Sequence, residues 1–185
     1  DVTAKNIPLC ILENNFISVL IIVYPCSDKI CSMIKASHFS LPDQNGAMHT
    51  LTEYNGKWVI LYFYPKDDTP GCTKEACSFR DNISEFTKRG ITIIGVSKDS
   101  ISSHRKFADK YHLNFTLLSD EHLETIKAYN SWGEKKFMGK VFSGVLRNTY
   151  LINPQGKIAK VYEKVNPLVH SEQILNDFDS IKVKK

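Results

Sequence analysis

Two runs in this chain, WVILYFYP (Trp58 to Pro65) and ITIIGVS (Ile91 to Ser97), are apolar at nearly every position. A strand with apolar side chains only on alternate positions can leave one face in water. A strand that is apolar throughout has to be covered on both faces. Between the two runs lies CTKEACSFRDNISEFTKRG, in which Ala76, Phe79, Ile83 and Phe86 recur at helical spacing and Gly90 supplies a stop. A buried strand, a helix and a second buried strand in that order predict a crossover unit inside a layered sheet.

The rest of the chain extends the same plan. SISSHRKFADKYH reads as a helix with a serine available to cap it, FTLLSD as a third strand, and EHLETIKAY as a short helix. VLRNTYLINPQGKIAKVYE reads as two strands joined by a turn at Asn153-Pro154-Gln155-Gly156, and Pro167 to Ile181 as a closing amphipathic helix. Pro42-Asp43 and Asn45-Gly46 mark a loop or hairpin before the first buried strand. The expected fold is α/β: a central mixed β-sheet flanked by helices on both faces, for which a thioredoxin-like fold is one compact arrangement. No internal repeat or low-complexity segment competes with this reading.

The expected domain covers residues 36–185, and residues 1–35 form an N-terminal extension of unknown role. FISVLIIVY (Phe16 to Tyr24) is too short to span a bilayer, and no small-x-small cleavage site follows it. A leader, a tail and a non-native extension all remain open for this segment. A net charge of +4 with acids and bases interspersed gives no basic block, so nucleic acid is not an expected partner. No membrane association is expected either.

Five cysteines occur: Cys10, Cys26, Cys31, Cys72 and Cys77. An odd, sparse set in a chain large enough to build its own core does not resemble a disulfide scaffold. Reactive thiols in a reducing, cytoplasmic setting fit better, or an organelle if the extension is a leader. Cys72 stands where the first buried strand gives way to a helix, after Thr69-Pro70-Gly71. A helix N-terminus offers unpaired N–H groups and partial positive charge, which favour a thiolate over a thiol. Gly71 lets backbone approach a ligand, and the Thr69 hydroxyl can donate and accept at once.

Cys77 lies five residues on, so an intact helix would hold the two Cα atoms about 8–9 Å apart. A disulfide needs less than about 7 Å, so the first helical turn would have to unwind. A zinc site lacks a second cysteine pair or a histidine cluster, and His104, His112 and His122 read as solvated. Arg147 sits between Val145-Leu146 and Tyr150-Leu151-Ile152 in what reads as a strand. It is either an edge arginine facing water or a holder of an anion.

Pro65-x-x-x-Thr69-x-x-Cys72 resembles the active-site motif of peroxiredoxins, and a cysteine five residues later resembles the atypical two-cysteine, bacterioferritin-comigratory or Q-type branch. The likeness continues through FSLPDQNG, GVSKDS, LLSD, WGEKKFMGK and LRNTYLINPQGKI, roughly Ala36 to Ile174. The resemblance implies a thiol peroxidase acting on hydrogen peroxide and organic hydroperoxides. Cys72 would be the peroxidatic and Cys77 the resolving cysteine, joined in a disulfide during turnover and released by a thioredoxin-like reductant. Thr69 would orient the peroxide, Pro65 shield the pocket and Arg147 stabilise the thiolate. It calls for no metal or organic cofactor, and for a monomer or at most a weak dimer. A peroxide sensor or a general disulfide oxidoreductase on the same fold are the alternatives, the latter disfavoured by the missing Cys-x-x-Cys.

Residues 1–35 match nothing in that pattern. A chain shortened to begin at Met33 should therefore melt at the same temperature and consume peroxide at the same rate as the full chain. Loss of either property would make the segment a working part of the domain.

Overall fold

The computed structural model describes residues 34–137 and 139–183. The part of the extension up to Met33, with Cys10, Cys26 and Cys31, lies outside the described residues. Ile34 to Ala36 run beside the chain at Gly156 to Ile158 through backbone hydrogen bonds at both ends.

A hairpin of β1 (Ser40–Pro42) and β2 (Met48–Thr50) comes first, followed by a 3-10 turn at Leu51–Tyr54. The main sheet contains β3 (Trp58–Phe63), β4 (Ile91–Ser97), β5 (Thr116–Ser119), β8 (Thr149–Ile152) and β9 (Ile158–Tyr162). Its order is β5-β4-β3-β8-β9, parallel on the β5-β4-β3 side and antiparallel from β3 to β9. The helices are α1 (Pro70–Asp81), α2 (Ile83–Lys88), α3 (Ile101–Tyr111), α4 (Glu124–Ala128) and α5 (His170–Val183). A separate hairpin, β6 (Trp132–Phe137) with β7 (Lys140–Val145), precedes β8.

The continuous apolar runs do what their composition requires. In β3, Ile60 and Tyr62 enter one core with Phe79, Phe86, Phe107 and Phe178. Val59, Leu61 and Phe63 alternate into a second core with Ile94, Val96, Ile126 and Tyr150. The first core lies under α1, α2, α3 and α5; the second is closed by α4, the 3-10 turn and the segment around Phe39. Helices thus cover both faces of a mixed sheet, as the sequence predicts, but most of the helical mass lies on one side.

Several boundaries differ from expectation. The single helix predicted through Phe86 is broken at Asn82, whose backbone leaves helical geometry (φ −96°, ψ 8°) and whose side chain donates back to Ser78 O. The closing helix starts at His170, because Pro167 to Val169 form its approach. The strand expected from Val145 begins only at Thr149, and the β6–β7 hairpin was not predicted. Its sequence, WGEKKF and KVFSGV, lacks the apolar alternation that marks a half-buried strand.

Gly95 pairs in register with Tyr62 across β4 and β3. A Cβ at Gly95 would lie 2.8 Å from the Tyr62 ring and hydroxyl and from Leu117. The Tyr62 side chain is fully buried, so it has nowhere to retreat. Gly95→Ala should therefore lower the unfolding free energy by about 1–3 kcal/mol, the usual cost of overpacking a filled core. Urea denaturation measures it, and an unchanged midpoint would show that the ring can move.

Candidate active site

β3 and β4 run parallel, and the chain leaves β3 at its carboxyl end through Tyr64 and Pro65 into a short loop. Open α/β sheets place ligand sites at such ends. A surface concavity of about 440 Å³ lined by Lys57, Gly90, Ile91 and Phe115 sits at the opposite ends of these strands, away from the cysteines. Thr69 is the N-cap of α1, with extended backbone (φ −90°, ψ 148°), and Pro70 opens the helix. Proline suits that place because its missing N–H would have no intrahelical acceptor anyway. The helix begins two residues earlier than the sequence suggests, so Cys72 lies within its first turn.

The first bond of α1 runs from Thr73 N–H to Thr69 O at 2.8 Å. The N–H groups of Gly71 and Cys72 precede it and have no intrahelical acceptor. Thr69 does not cap the helix with its side chain; its hydroxyl donates to Lys66 O at 3.0 Å. Its lone pairs remain available as acceptors.

Cys72 is 2 % exposed and Cys77 is half-buried on the same helix; both are free thiols. Arg147 Nη2 donates to Cys72 Sγ at 3.3 Å, and Arg147 Nη1 donates to Glu75 Oε2. Glu75 is one helical turn beyond Cys72, so sulfur and carboxylate present themselves together to one guanidinium. Gly71 lies close to the same guanidinium: a Cβ there would be in ordinary contact with Arg147 Nη2, at 3.4 Å.

Arg147 is not on a strand, as its sequence context suggests, but in the link between β7 and β8. The link is held by backbone bonds from Leu146 N–H to Ser131 O, from Val165 N–H to Arg147 O and from Phe63 N–H to Asn148 O. These attach it to the β6 entry, the segment after β9 and β3 itself. The reading of Arg147 as an edge arginine facing water fails, because its side chain is only 16 % exposed.

Charges around the sulfur are arranged in a partly dry setting. Burial works against the Arg147 cation, but Glu75 and Cys72 outweigh it and the guanidinium is held charged. Burial pushes the Glu75 carboxyl up to about 7 despite Arg147. Lys135, half-buried on β6, is a second cation in the neighbourhood: burial and Arg147 lower it while Cys72 acts the other way. His170 is fully buried, its Nε2 2.8 Å from Thr149 Oγ1, and burial together with Arg147 pushes it down to about 4.

Of the expected residues, Cys72 and Arg147 are in direct contact, Thr69 caps the helix that carries Cys72, Pro65 lies in the loop before it, and Cys77 is two turns into the same helix. Glu75 was missed, although its spacing from Cys72 was readable on a helix. Lys135 and His170 were missed because only the tertiary fold brings them near. His104 was expected to be solvated and is fully buried, with Nδ1 2.8 Å from Asp67 Oδ2. His112 and His122 are exposed as expected.

A polarised, partly desolvated thiol at a helix start, held by an arginine beside a threonine hydroxyl on a thioredoxin-like sheet, defines a thiol-based redox enzyme. The AhpC/TSA family matches residues 34–161 of the chain. Peroxiredoxin Bcp of Escherichia coli K12 is 45% identical over 141 residues, covering 76% of this chain and 90% of that protein. Peroxiredoxin Bcp of Bacillus subtilis is 41% identical over 150 residues, covering 81% and 96%. Among solved structures, the bacterioferritin comigratory protein of Xanthomonas campestris, studied for alkyl peroxide reduction, superposes with a TM-score of 0.73 at 36% identity, covering 77% and 90%. PrxQ of Xylella fastidiosa superposes with a TM-score of 0.74 at 31% identity, covering 81% and 98%. The chain belongs to the AhpC/TSA family, among peroxiredoxins of the bacterioferritin-comigratory or Q type. Its activity is that of a thiol peroxidase.

The two shifted buried groups give opposite pH dependences. The fold holds His170 neutral, so its contribution to stability is complete above about 6.5 and is lost as pH falls towards about 4. Glu75 binds its proton more tightly folded than unfolded, so its contribution is present below 4.5 and is lost as pH rises through about 7. Between 4.5 and 6.5 they largely cancel. Glu75→Gln removes one side of that balance. Between those two pH values the variant should lose roughly 2 kcal/mol more on acidification than the parent, at 1.36 kcal/mol per pKa unit. Urea unfolding at the two pH values measures this, and parallel pH profiles would contradict it.

Proposed function

We propose that Cys72 is the peroxidatic cysteine and Cys77 the resolving cysteine of a thioredoxin-dependent peroxidase for hydrogen peroxide and organic hydroperoxides. The observation that carries this reading is the Arg147 bond to Cys72 Sγ at the start of α1. The Cys72 thiolate attacks the distal oxygen of the hydroperoxide; an S–O bond forms as the O–O bond breaks. The departing hydroxide or alkoxide takes a proton and leaves as water or an alcohol. Arg147 and the free N–H groups of the first turn face the charge that moves from sulfur to oxygen, where fixed donors lower the barrier most. Thr69 accepts from the bound hydroperoxide while donating to Lys66 O, and Pro65 limits access of water.

Cys72 is left as a sulfenic acid. The Cys77 thiol attacks its sulfur, a disulfide forms and water departs. A reduced dithiol of thioredoxin type then restores both thiols by exchange and is itself oxidised. The reduced helix keeps the two cysteines too far apart for a disulfide, so the first turns of α1 open between the steps. The pair is intramolecular and needs no second chain, in keeping with a monomer or a weak dimer. A thiol pair that cycles against a thioredoxin-type dithiol suits a reducing cytoplasm or, if residues 1–35 are a leader, an organelle. Among the described residues no helix is long and apolar enough to cross a membrane.

Cys72→Ser should abolish peroxide consumption with a thioredoxin system, since a serine hydroxyl is not ionised near neutrality. Cys77→Ser should oxidise once and then stop, leaving a sulfenic acid that dimedone labels. Retention of more than about a tenth of parent turnover by the first variant, barely 1.4 kcal/mol of barrier, would reject the nucleophile assignment. A dominant link from Cys72 to a cysteine other than Cys77, found by mass spectrometry after peroxide treatment, would reject the pairing.

A further inference from the structure

The loop between β3 and α1 contains a buried carboxylate with no part in the chemistry above. Asp67 is 6 % exposed. Its Oδ1 accepts from Tyr64 Oη at 2.7 Å, and its Oδ2 accepts from Ser103 Oγ at 2.8 Å and lies 2.8 Å from His104 Nδ1. The other side of the His104 ring is held as well, with Nε2 donating to Leu118 O at 3.1 Å. Tyr64, just past β3, and Ser103 and His104 of α3 thus converge on one side chain two positions before Thr69, and Leu118 of β5 holds the far side of the His104 ring. Burying a carboxylate is costly unless it is fully bonded, and this one is.

The backbone of the same residue carries the consequence. Asp67 N–H donates to Asp99 Oδ2 at 2.8 Å, and that oxygen also accepts from Ser97 Oγ at 2.8 Å. Asp67 N–H and Lys66 C=O belong to one planar peptide, so aiming the N–H at Asp99 aims the carbonyl the opposite way. Lys66 O is the acceptor of the Thr69 hydroxyl. The next residue, Asp68, is held at φ +54°, a left-handed conformation uncommon for aspartate, and its carboxylate is bound by Lys110 and Tyr111 at the end of α3.

We propose that Asp67 and Asp99 are positioning residues for the peroxide: they orient the Lys66–Asp67 peptide, whose carbonyl in turn sets the direction of the Thr69 hydroxyl. The inference rests on the reading of Thr69 as the group that receives the hydroperoxide. Asp99 is the more accessible lever, because it is half-buried and belongs to neither apolar core. Asn can replace it as acceptor through its amide oxygen, whereas Ala cannot.

The test uses the full chain and hydrogen peroxide, comparing the second-order rate of Cys72 oxidation with its alkylation by iodoacetamide, which does not need Thr69. Asp99→Ala and Asp67→Ala should slow oxidation by about tenfold or more, the scale of a misplaced reacting group, with alkylation unchanged. Asp99→Asn should restore the parent rate. In a Thr69→Val background, which is itself slow, Asp99→Ala should cost nothing further. Independent, multiplying losses would overturn the positioning role while leaving Thr69 in place, as would a full rate in Asp99→Ala or equal slowing of alkylation. A Thr69→Val variant as fast as the parent would overturn the Thr69 reading and this proposal with it. If Asp67→Ala shows no cooperative thermal transition, the Asp99 pair decides alone.

Discussion

One guanidinium joins a thiol and a carboxyl group inside the protein. Arg147 reaches Cys72 with one nitrogen and Glu75 with the other, across 75 residues of sequence. A buried charge of this kind costs several kcal/mol unless its partners are present and bonded. The surrounding architecture supplies both. A helix start presents Cys72 and Glu75 on one face, and a link tied to three other segments brings Arg147 to meet them. Sulfur and carboxylate share one cation, so the state of each bears on the other.

The two halves of α1 meet different demands. Its first turn is built from Pro70, Gly71 and Thr73, with an N-cap threonine whose hydroxyl is engaged elsewhere. Such a turn is cheap to open relative to the whole domain. Its far end is secured: Ser78 and Ser171 share a hydrogen bond, Asn82 donates to both, and Phe79 lies wholly buried against Phe86 and Phe115. The anchoring of α1 is therefore strongest from Ser78 onward. The loop before the helix is likewise held from α3, through Asp67 and Asp68.

Much of this was readable in the chain. The runs at Trp58 to Pro65 and Ile91 to Ser97 could only be strands covered on both faces, and the structure buries them so. The Thr69-Pro70-Gly71-Cys72 turn announced a helix start, and the structure opens α1 at Pro70 with Thr69 as its N-cap. What escaped were elements whose identity lies in their partners. The β6–β7 hairpin carries lysines and glycines rather than alternating apolar residues and is held by pairing with itself. His104 has the helical spacing of a surface residue, and only the fold lays Asp67 and Leu118 O on its two nitrogens.

The sequence by itself determined the layered α/β plan and the helix start that carries Cys72, since these follow from local patterns of hydrophobicity and turn chemistry. The tertiary structure decided where Arg147 stands and what it touches. Its neighbours in the chain, apolar on both sides, read as strand, but it lies in a link whose course is set by backbone bonds to Ser131, Val165 and Phe63. Side-chain chemistry within a few residues can specify a helix start. The direction of a charged group arriving from 75 residues away depends on long-range pairing, and no local pattern encodes that.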